Sequence, residues 1–282
     1  MNKTVVITGA STGIGAATVK AISEAGWQVF AGVRRIEDAP KLPNVVPMLL
    51  DVTDRAGIQR AVETVRLSLG NTNLGGLVNN AGIALGGPLA FQPIDEIRQT
   101  MEVNFFGAVE VTQAFLPLLG LDPTREGAPG RIVNMSSVAG GIGHPFLGGY
   151  AASKHALEGF SESLRRELML FGIDVVVIGP GSVATPIWDK AETKGMDGYD
   201  DTAYALSLKA AMKVILSSGR GGISAESVAS LFVEALSSSA PKVRYAPVQG
   251  KFVNWVLPRL LPKRFVDRVI ARSLGLVVGK KG

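Results

Sequence analysis

Short runs of β-branched and apolar residues alternate along this chain with longer segments whose apolar positions recur every three to four residues. Lys3–Thr8 (KTVVIT) is a continuous apolar run of strand length. Ile14, Ala17, Ala21, Ile22 and Ala25 follow at helical spacing, with Gly26 positioned to end that helix. The alternation then repeats. Strands are predicted at Gln28–Val33, Val45–Leu50, Gly76–Val78, Arg131–Met135, Asp174–Ile178 and Val243–Ala246. Helices are predicted over Asp54–Leu69, 94–119, Tyr150–Phe171 and Ser224–Leu236. Strands that are apolar on both sides and separated by helices predict a parallel sheet covered on both faces, the α/β doubly wound (Rossmann) architecture. Such a sheet binds ligands beyond the carboxyl ends of its strands. The predicted organisation is one catalytic domain over 1–250, with a substrate loop at 186–222 and a basic amphipathic extension at 251–282.

Composition narrows the chemistry. A chain of 282 residues with 46% hydrophobic content can bury the core of one such domain. It has no Cys, hence no disulfide, no thiolate nucleophile and no Cys-ligated metal. Its only histidines, His144 and His155, argue against a multi-His metal site. The start, MNKTVVITGA, lacks the apolar stretch of a secretory signal, and no apolar run is long enough to span a bilayer, so the cytoplasm is the expected location. The net charge of +5 is unevenly distributed. Residues 251–282 carry eight Lys/Arg against Asp267 alone, whereas the first 250 carry 21 basic against 23 acidic residues. The basic character belongs to the tail, which argues against a nucleic-acid-binding domain.

The first strand leads directly into Thr8-Gly9-Ala10-Ser11-Thr12-Gly13-Ile14-Gly15. Glycines at this strand-to-helix turn let the main chain approach a pyrophosphate, and the helix start offers it free N–H groups. Dinucleotide binding follows from that context. At the end of the second strand, where a carboxylate reads a ribose 2′-hydroxyl, the sequence has Val33 followed by Arg34 and Arg35. A guanidinium there favours a 2′-phosphate, hence NADP, with NAD as the alternative. Glu37 and Asp38 lie slightly further along, within reach of a folded-back loop.

Tyr150 and Lys154 stand four residues apart and share a helix face. A nearby ammonium and an oxidised nicotinamide would favour the phenolate, making Tyr150 a proton donor and acceptor for an alcohol/carbonyl pair. Ser136 and Ser137 end the fifth strand at the ligand edge, where a hydroxyl can polarise a substrate oxygen. Asn104 sits among apolar neighbours on a helix and needs partners if buried; it could hold a water relaying protons to Lys154.

Together these residues resemble the short-chain dehydrogenase/reductase family in its one-domain form, over roughly residues 3–250. The matches are TGASTGIG at 8–15, Asp51-Val52, NNAG at 79–82, Asn104, Ser137 thirteen residues before Tyr150, Lys154, and Pro180-Gly181 with Thr185. The resemblance implies an oxidoreductase with a catalytic tetrad of Asn104, Ser137, Tyr150 and Lys154. Tyr150 would be the acid/base, Lys154 would lower its pKa and hold the nicotinamide ribose, and Ser137 would orient the substrate oxygen. It further implies cofactor contacts from Gly9, Ser11, Thr12, Gly13, Ile14, Gly15, Arg34, Asp51, Val52, Asn80, Ala81, Gly82, Pro180, Gly181, Val183 and Thr185, in addition to Tyr150 and Lys154. Asp51 would meet adenine, Asn79 the cofactor side of the sheet, and Pro180–Thr185 the carboxamide. A homodimer or homotetramer is also implied.

Three rivals are weighed. A dinucleotide sensor on the same fold would have no need of the Tyr150–Lys154 pair. A sugar-nucleotide epimerase or dehydratase would need a larger, basic substrate region. A hydrolase would need a nucleophile turn, and His155 points roughly 100° away from Lys154 around its helix.

Ile187, Trp188, Met196, Tyr199, Tyr204, Leu206 and Met212 give the 186–222 segment an apolar, aromatic character suited to a hydrophobic alcohol or ketone, or to local core and subunit contact. Gly140, Gly141, Gly143, Gly148 and Gly149 are expected to leave room beside Tyr150. In this stretch the chain is similar to steroid- and retinol-type members of the family. From about residue 263 the tail reads as a basic amphipathic helix, suited to an anionic membrane surface and equally to packing on protein.

Overall fold

In the computed structural model, residues 2–185 and 198–278 are described. Seven parallel strands form one sheet: β1 (Thr4–Ile7), β2 (Gln28–Val33), β3 (Val45–Leu49), β4 (Gly76–Asn79), β5 (Arg131–Met135), β6 (Asp174–Ile178) and β9 (Arg244–Tyr245), in the order β3-β2-β1-β4-β5-β6-β9. The order reverses between β1 and β4, and this crevice at the strands' carboxyl ends is where a doubly wound sheet takes its ligand. Two further short strands, β7 (Val183–Ala184) and β8 (Ile223–Ser224), pair with each other.

The strand sequences show no polar alternation because both faces are covered. On one face Val5, Ile7, Val29, Val133 and Val176 pack with Val19 and Ile22 of α1 (Gly13–Glu24) and with Val228 and Phe232 of a later helix, α7 (Ala225–Ser237). On the other, Val6, Phe30, Leu77, Ile132 and Val175 meet three helices. These are α2 (Arg55–Leu69) through Ile58 and Val65, α4 (Gly107–Phe115) through Val111 and Phe115, and α5 (Gly148–Glu167) through Leu164. Adjacent residues along each strand thus serve opposite layers, as a period of two requires.

Several element boundaries differ from the sequence expectation for identifiable reasons. The single helix expected over 94–119 is α3 (Ile94–Met101), a π-helical turn at Glu102–Phe106, α4, and a 3-10 turn at Leu116–Leu119. Hydrophobic periodicity is blind to one extra residue in a turn, and π-turns cluster at functional positions. The Tyr150–Phe171 helix begins two residues earlier, and its last four residues tighten into a 3-10 turn. Within the expected substrate loop the chain forms α6 (Ala205–Arg220); Ile187, Trp188 and Met196 lie outside the described residues. The tail contains a π-turn at Phe252–Val256, α8 (Leu257–Leu260) and α9 (Lys263–Leu274), the last as expected from 263 onward. Among the described residues no helix is long and apolar enough to cross a membrane.

Candidate active site at the carboxyl edge of the sheet

The glycine turn after β1 is shaped by close backbone approach. Gly9 and Gly13 adopt φ of +63° and +55°, conformations that side-chain-bearing residues rarely take. A Cβ on Gly9 would lie 2.8 Å from the Ala81 Cα, and one on Gly15 only 2.1 Å from the Gly9 carbonyl oxygen. Asn80 locks this arrangement: its Nδ2 donates to the carbonyls of Thr8 and Gly9, each at 3.0 Å. The Thr8 hydroxyl in turn accepts from the N–H groups of Asn80 and Ala81. Asn80, expected to touch the cofactor, therefore spends its side-chain amide on the turn itself. Asn79, expected on the cofactor side, is instead fully enclosed. It donates to Thr112 Oγ1 and Asn134 Oδ1, both at 2.8 Å, beneath the helices of the opposite layer. The two neighbouring asparagines point to opposite faces because β4 is extended through Asn79.

Beside the turn, an open groove of about 560 Å³ is lined by Ser11, Thr12, Arg34, Arg35 and Asp38. Arg35 holds Asp38 with two hydrogen bonds of 2.9 Å, and this pairing keeps the Asp38 carboxyl below the ordinary range. Arg34 is exposed and makes no hydrogen bond or ion pair with a described residue. Asp51 folds into a local turn, its Oδ1 accepting from the Thr53 N–H and hydroxyl, while Val52 is buried against Gly107. Thr185 lies over Gly13: a Cβ there would be 3.5 Å from the threonine's Cβ. Pro180 anchors the neighbouring loop through its carbonyl, which accepts from the Val138 N–H. A tight glycine turn with no room for a side chain at Gly9 or Gly15, beside a groove flanked by the Ser11 and Thr12 hydroxyls and the Arg34 guanidinium, fits a dinucleotide pyrophosphate and its adenosine ribose.

The four residues of the expected tetrad converge at the ends of β4 and β5. Tyr150 is half-buried on the first turn of α5, and the Ser137 hydroxyl is close enough to act on its phenol. Lys154, only 4% exposed, stands one turn on, its Nζ 5.8 Å from the Tyr150 ring centre and 2.8 Å from the Met135 carbonyl. Asn104 occupies the π-turn, where it grips Ile83 in both directions: Oδ1 accepts from the Ile83 N–H at 2.8 Å and Nδ2 donates to its carbonyl at 2.9 Å. Its Nδ2 also donates to Ser153 Oγ, which in turn donates to the Tyr150 carbonyl. Gly82 keeps this junction open, since a Cβ there would sit 3.1 Å from Asn104 Oδ1 and 3.7 Å from Lys154 Nζ.

Burial sets the protonation of this cluster. It pushes the Tyr150 phenol up from its ordinary value, with the neighbouring Ser137 hydroxyl acting in the opposite direction. It pushes the Lys154 ammonium down to about 8, opposed by the carboxylate of Glu158. The sequence expectation has the ammonium lowering the phenol; in the chain alone burial of the phenol is the stronger influence. His155 is tied by Nδ1 to the Ala151 carbonyl of its own helix at 2.8 Å and takes no part in the cluster.

Of the five glycines expected to leave room beside Tyr150, Gly143 faces open space and the other four have close neighbours. A Cβ on Gly140 would meet Glu158 and Ser136, one on Gly141 Trp255, one on Gly148 Leu89 and one on Gly149 Ile97. Their smallness admits structural side chains behind the catalytic loop. Ser153, Glu158, Arg244 and Trp255 are structural partners of the site to which sequence reasoning gave no role there. No local spacing links Arg244 or Trp255 to Tyr150, because the contacts come from distant strands and the tail.

Residues 3–195 match the family described as short chain dehydrogenase. The chain belongs to that family. It is an NAD(P)-dependent oxidoreductase of Rossmann fold. It is 39% identical over 274 residues to an NADPH-dependent 3-dehydrocapnine reductase of Ornithobacterium rhinotracheale, covering 95% of this chain and 96% of that protein. It is 32% identical to a 3-ketodihydrosphingosine reductase of Bacteroides thetaiotaomicron, covering 85% and 86%. A short chain dehydrogenase from Burkholderia cenocepacia, solved in complex with NADP, superposes with a TM-score of 0.69 at 25% identity, covering 97% of this chain and 99% of that one.

Proposed function

We propose that this short-chain dehydrogenase is an NADPH-preferring reductase of a lipophilic ketone or aldehyde, with Asn104, Ser137, Tyr150 and Lys154 as its catalytic group. The observation that carries the reading is the half-buried Tyr150 phenol, with Ser137 acting on it and Lys154 5.8 Å from its ring centre, at the sheet edge that also holds the glycine turn. When bound, the nicotinamide supplies the hydride. The protein's part is the proton. A phenol pushed up by burial is protonated at neutral pH, the form needed to give a proton to a carbonyl oxygen as it becomes an alcohol. Ser137 offers that oxygen a second hydrogen bond and polarises it. Lys154, fixed by the Met135 carbonyl, keeps a positive charge near the phenolate left behind, and Asn104 braces the loop facing it. Because that charge is lost as the pH rises through about 8, reductive turnover is expected to decline across that pH; a profile flat from 7 to 9.5 would contradict this role.

The preference for the phosphorylated coenzyme rests on Arg34. The carboxylate that would repel a 2′-phosphate, Asp38, is occupied by Arg35, which leaves the Arg34 guanidinium facing the groove with Ser11 and Thr12. The names of the Ornithobacterium relative and of the NADP-bound Burkholderia structure agree with this choice. Arg34→Ala is expected to weaken NADPH binding by roughly 10-fold or more, the worth of a charge-assisted hydrogen-bond pair, while NADH binding changes little. Titrations by coenzyme fluorescence giving equal losses for both would refute the assignment.

The lipophilic substrate is supported by an apolar cluster of Phe146, Tyr199, Leu208 and Ala211, packed with Tyr204, Leu274 and Leu276 and lying just before α5 begins. Leu274 and Leu276 belong to the tail, so α9 rests on the cluster next to the Tyr150 end of α5. On its outer side α9 exposes Phe265 (51%) and Val269 (52%) among the exposed Lys263, Arg264, Arg268 and Arg272. That pairing of apolar and cationic groups suits the surface of an anionic bilayer, from which a lipophilic carbonyl could be drawn. Flotation with phosphatidylglycerol vesicles is expected to carry the wild type and to lose Phe265→Glu/Val269→Glu. Equal recovery of both, or equal recovery on phosphatidylcholine, would remove the membrane from this account.

A further inference from the structure

Behind the Ser137 loop lies an ionic cluster that the reaction itself does not use. Arg244, on β9, donates to Glu158 through Nε (3.1 and 3.0 Å to the two carboxylate oxygens) and through a terminal nitrogen (2.9 Å). Both side chains are about one-fifth exposed (22% and 20%), so this pair is shielded from solvent far better than the surface ion pairs elsewhere. The same terminal nitrogen approaches the Ser137 carbonyl at 3.4 Å. The guanidinium lies 4.4 Å from the centre of the Trp255 ring, and Arg259 lies at the same distance, so the buried indole has two cations against it. Three glycines clear the space. A Cβ on Gly179 would be 2.3 Å from an Arg244 nitrogen, one on Gly140 3.1 Å from Glu158 Oε1, and one on Gly141 2.8 Å from the Trp255 ring. Glu158 is one helical turn beyond Lys154 on α5.

We propose that Arg244, seated on Trp255, is a positioning residue for the catalytic group: it holds and neutralises Glu158 behind Lys154 and steadies the strand end that carries Ser137, so the tail through Trp255 is part of the catalytic scaffold. The inference rests on the reading of Lys154 as the charge beside Tyr150. The groups around that amine are few. Tyr150 and Glu158 face it from its own helix, the Met135 carbonyl from β5 and the uncharged Asn104 across Gly82, with Arg244 behind Glu158. Glu158 favours the ammonium, and in this proposal Arg244, bonded to that carboxylate, opposes its pull. Removing the cation and removing the anion must therefore act in opposite senses.

The test reads Lys154 directly and needs no turnover. Trace acetylation of the full-length chain by acetic anhydride, followed by mass spectrometry of the Lys154 peptide, gives the pH midpoint of that amine. Arg244→Gln is expected to move the midpoint up and Glu158→Gln to move it down, each by about one pH unit, as for charges several ångströms apart in a partly shielded site. The double variant returns toward wild type. Trp255→Ala follows Arg244→Gln in direction, and Trp255→Phe keeps the wild-type midpoint. Shifts in the same direction, or none, would overturn the proposal, since a merely structural loss gives no reversal of sign. Glu158→Gln alone, which changes charge with little change of shape, decides the matter should Arg244→Gln fail to fold. Loss of the Tyr150 reading is scored separately, by turnover of Tyr150→Phe.

Discussion

Tyr150→Phe is expected to lower carbonyl reduction by about 10²- to 10⁴-fold, the usual worth of a positioned general acid, while NADPH affinity stays within about twofold of wild type. The substitution removes one oxygen from a half-buried ring, leaving the ring's packing and α5 intact. What it deletes is the hydroxyl assigned to give its proton to the substrate oxygen. Ser137 would keep a hydrogen bond to a substrate oxygen, but an aliphatic hydroxyl is a far weaker acid and cannot replace the phenol. Lys154 has its amine bonded to the Met135 carbonyl, 5.8 Å from the centre of the Tyr150 ring. Turnover is followed as NADPH absorbance against a panel of long-chain ketones, aldehydes, steroids and retinoids, and coenzyme affinity by fluorescence. Retention of wild-type turnover would move the proton transfer to another residue. Loss of both turnover and NADPH binding would signal collapse of the site and not loss of an acid.

The layout of that site is legible in the sequence to the extent that its parts are short in range. Strand, glycine turn and helix are contiguous at 3–24, and Tyr150 and Lys154 are one turn apart, so spacing alone brings each set together. Ser137 and Asn104 follow from their position at strand ends and in an apolar helix. What spacing does not encode is direction. Asn79 and Asn80 are adjacent, yet one is sealed into a ladder with Thr112 and Asn134 and the other pins the turn, and only the strand's extension through Asn79 decides which. Gly140 and Gly141 likewise suggest open space from sequence, whereas their missing side chains are replaced by Glu158 and Trp255 arriving from elsewhere in the chain. The π-turn at Asn104 escapes for a related reason: it adds a residue to a helix without disturbing the apolar pattern that identifies the helix.

Gly15→Ala is expected to abolish measurable coenzyme binding and to cost about 1–3 kcal/mol or more of stability. Gly13 resists substitution through its positive φ; Gly15 resists it by contact. The added carbon would lie 2.1 Å from the Gly9 carbonyl oxygen and 2.6 Å from Asn80 Nδ2. Neither neighbour can yield cheaply, because that oxygen already accepts the Asn80 amide, and the Thr8 hydroxyl ties the Asn80 and Ala81 amides to the end of β1. Opening the turn to fit the methyl would therefore break the bonds that join β1 to β4 at the point where the sheet order reverses. The N–H groups that face an anion at the start of α1 would be re-aimed at the same time. Asn80→Ala provides the graded comparison: it removes the two amide donors without adding a clash, so coenzyme binding should weaken by roughly 10-fold while the fold persists, in line with the loss of hydrogen bonds to buried carbonyls. Thermal unfolding and NADPH titration of the two variants separate the causes. If Gly15→Ala binds NADPH as well as Asn80→Ala does, the turn is softer than its contacts require, and the pyrophosphate cradle must be sought in side chains such as Ser11 and Thr12 instead of in the main chain.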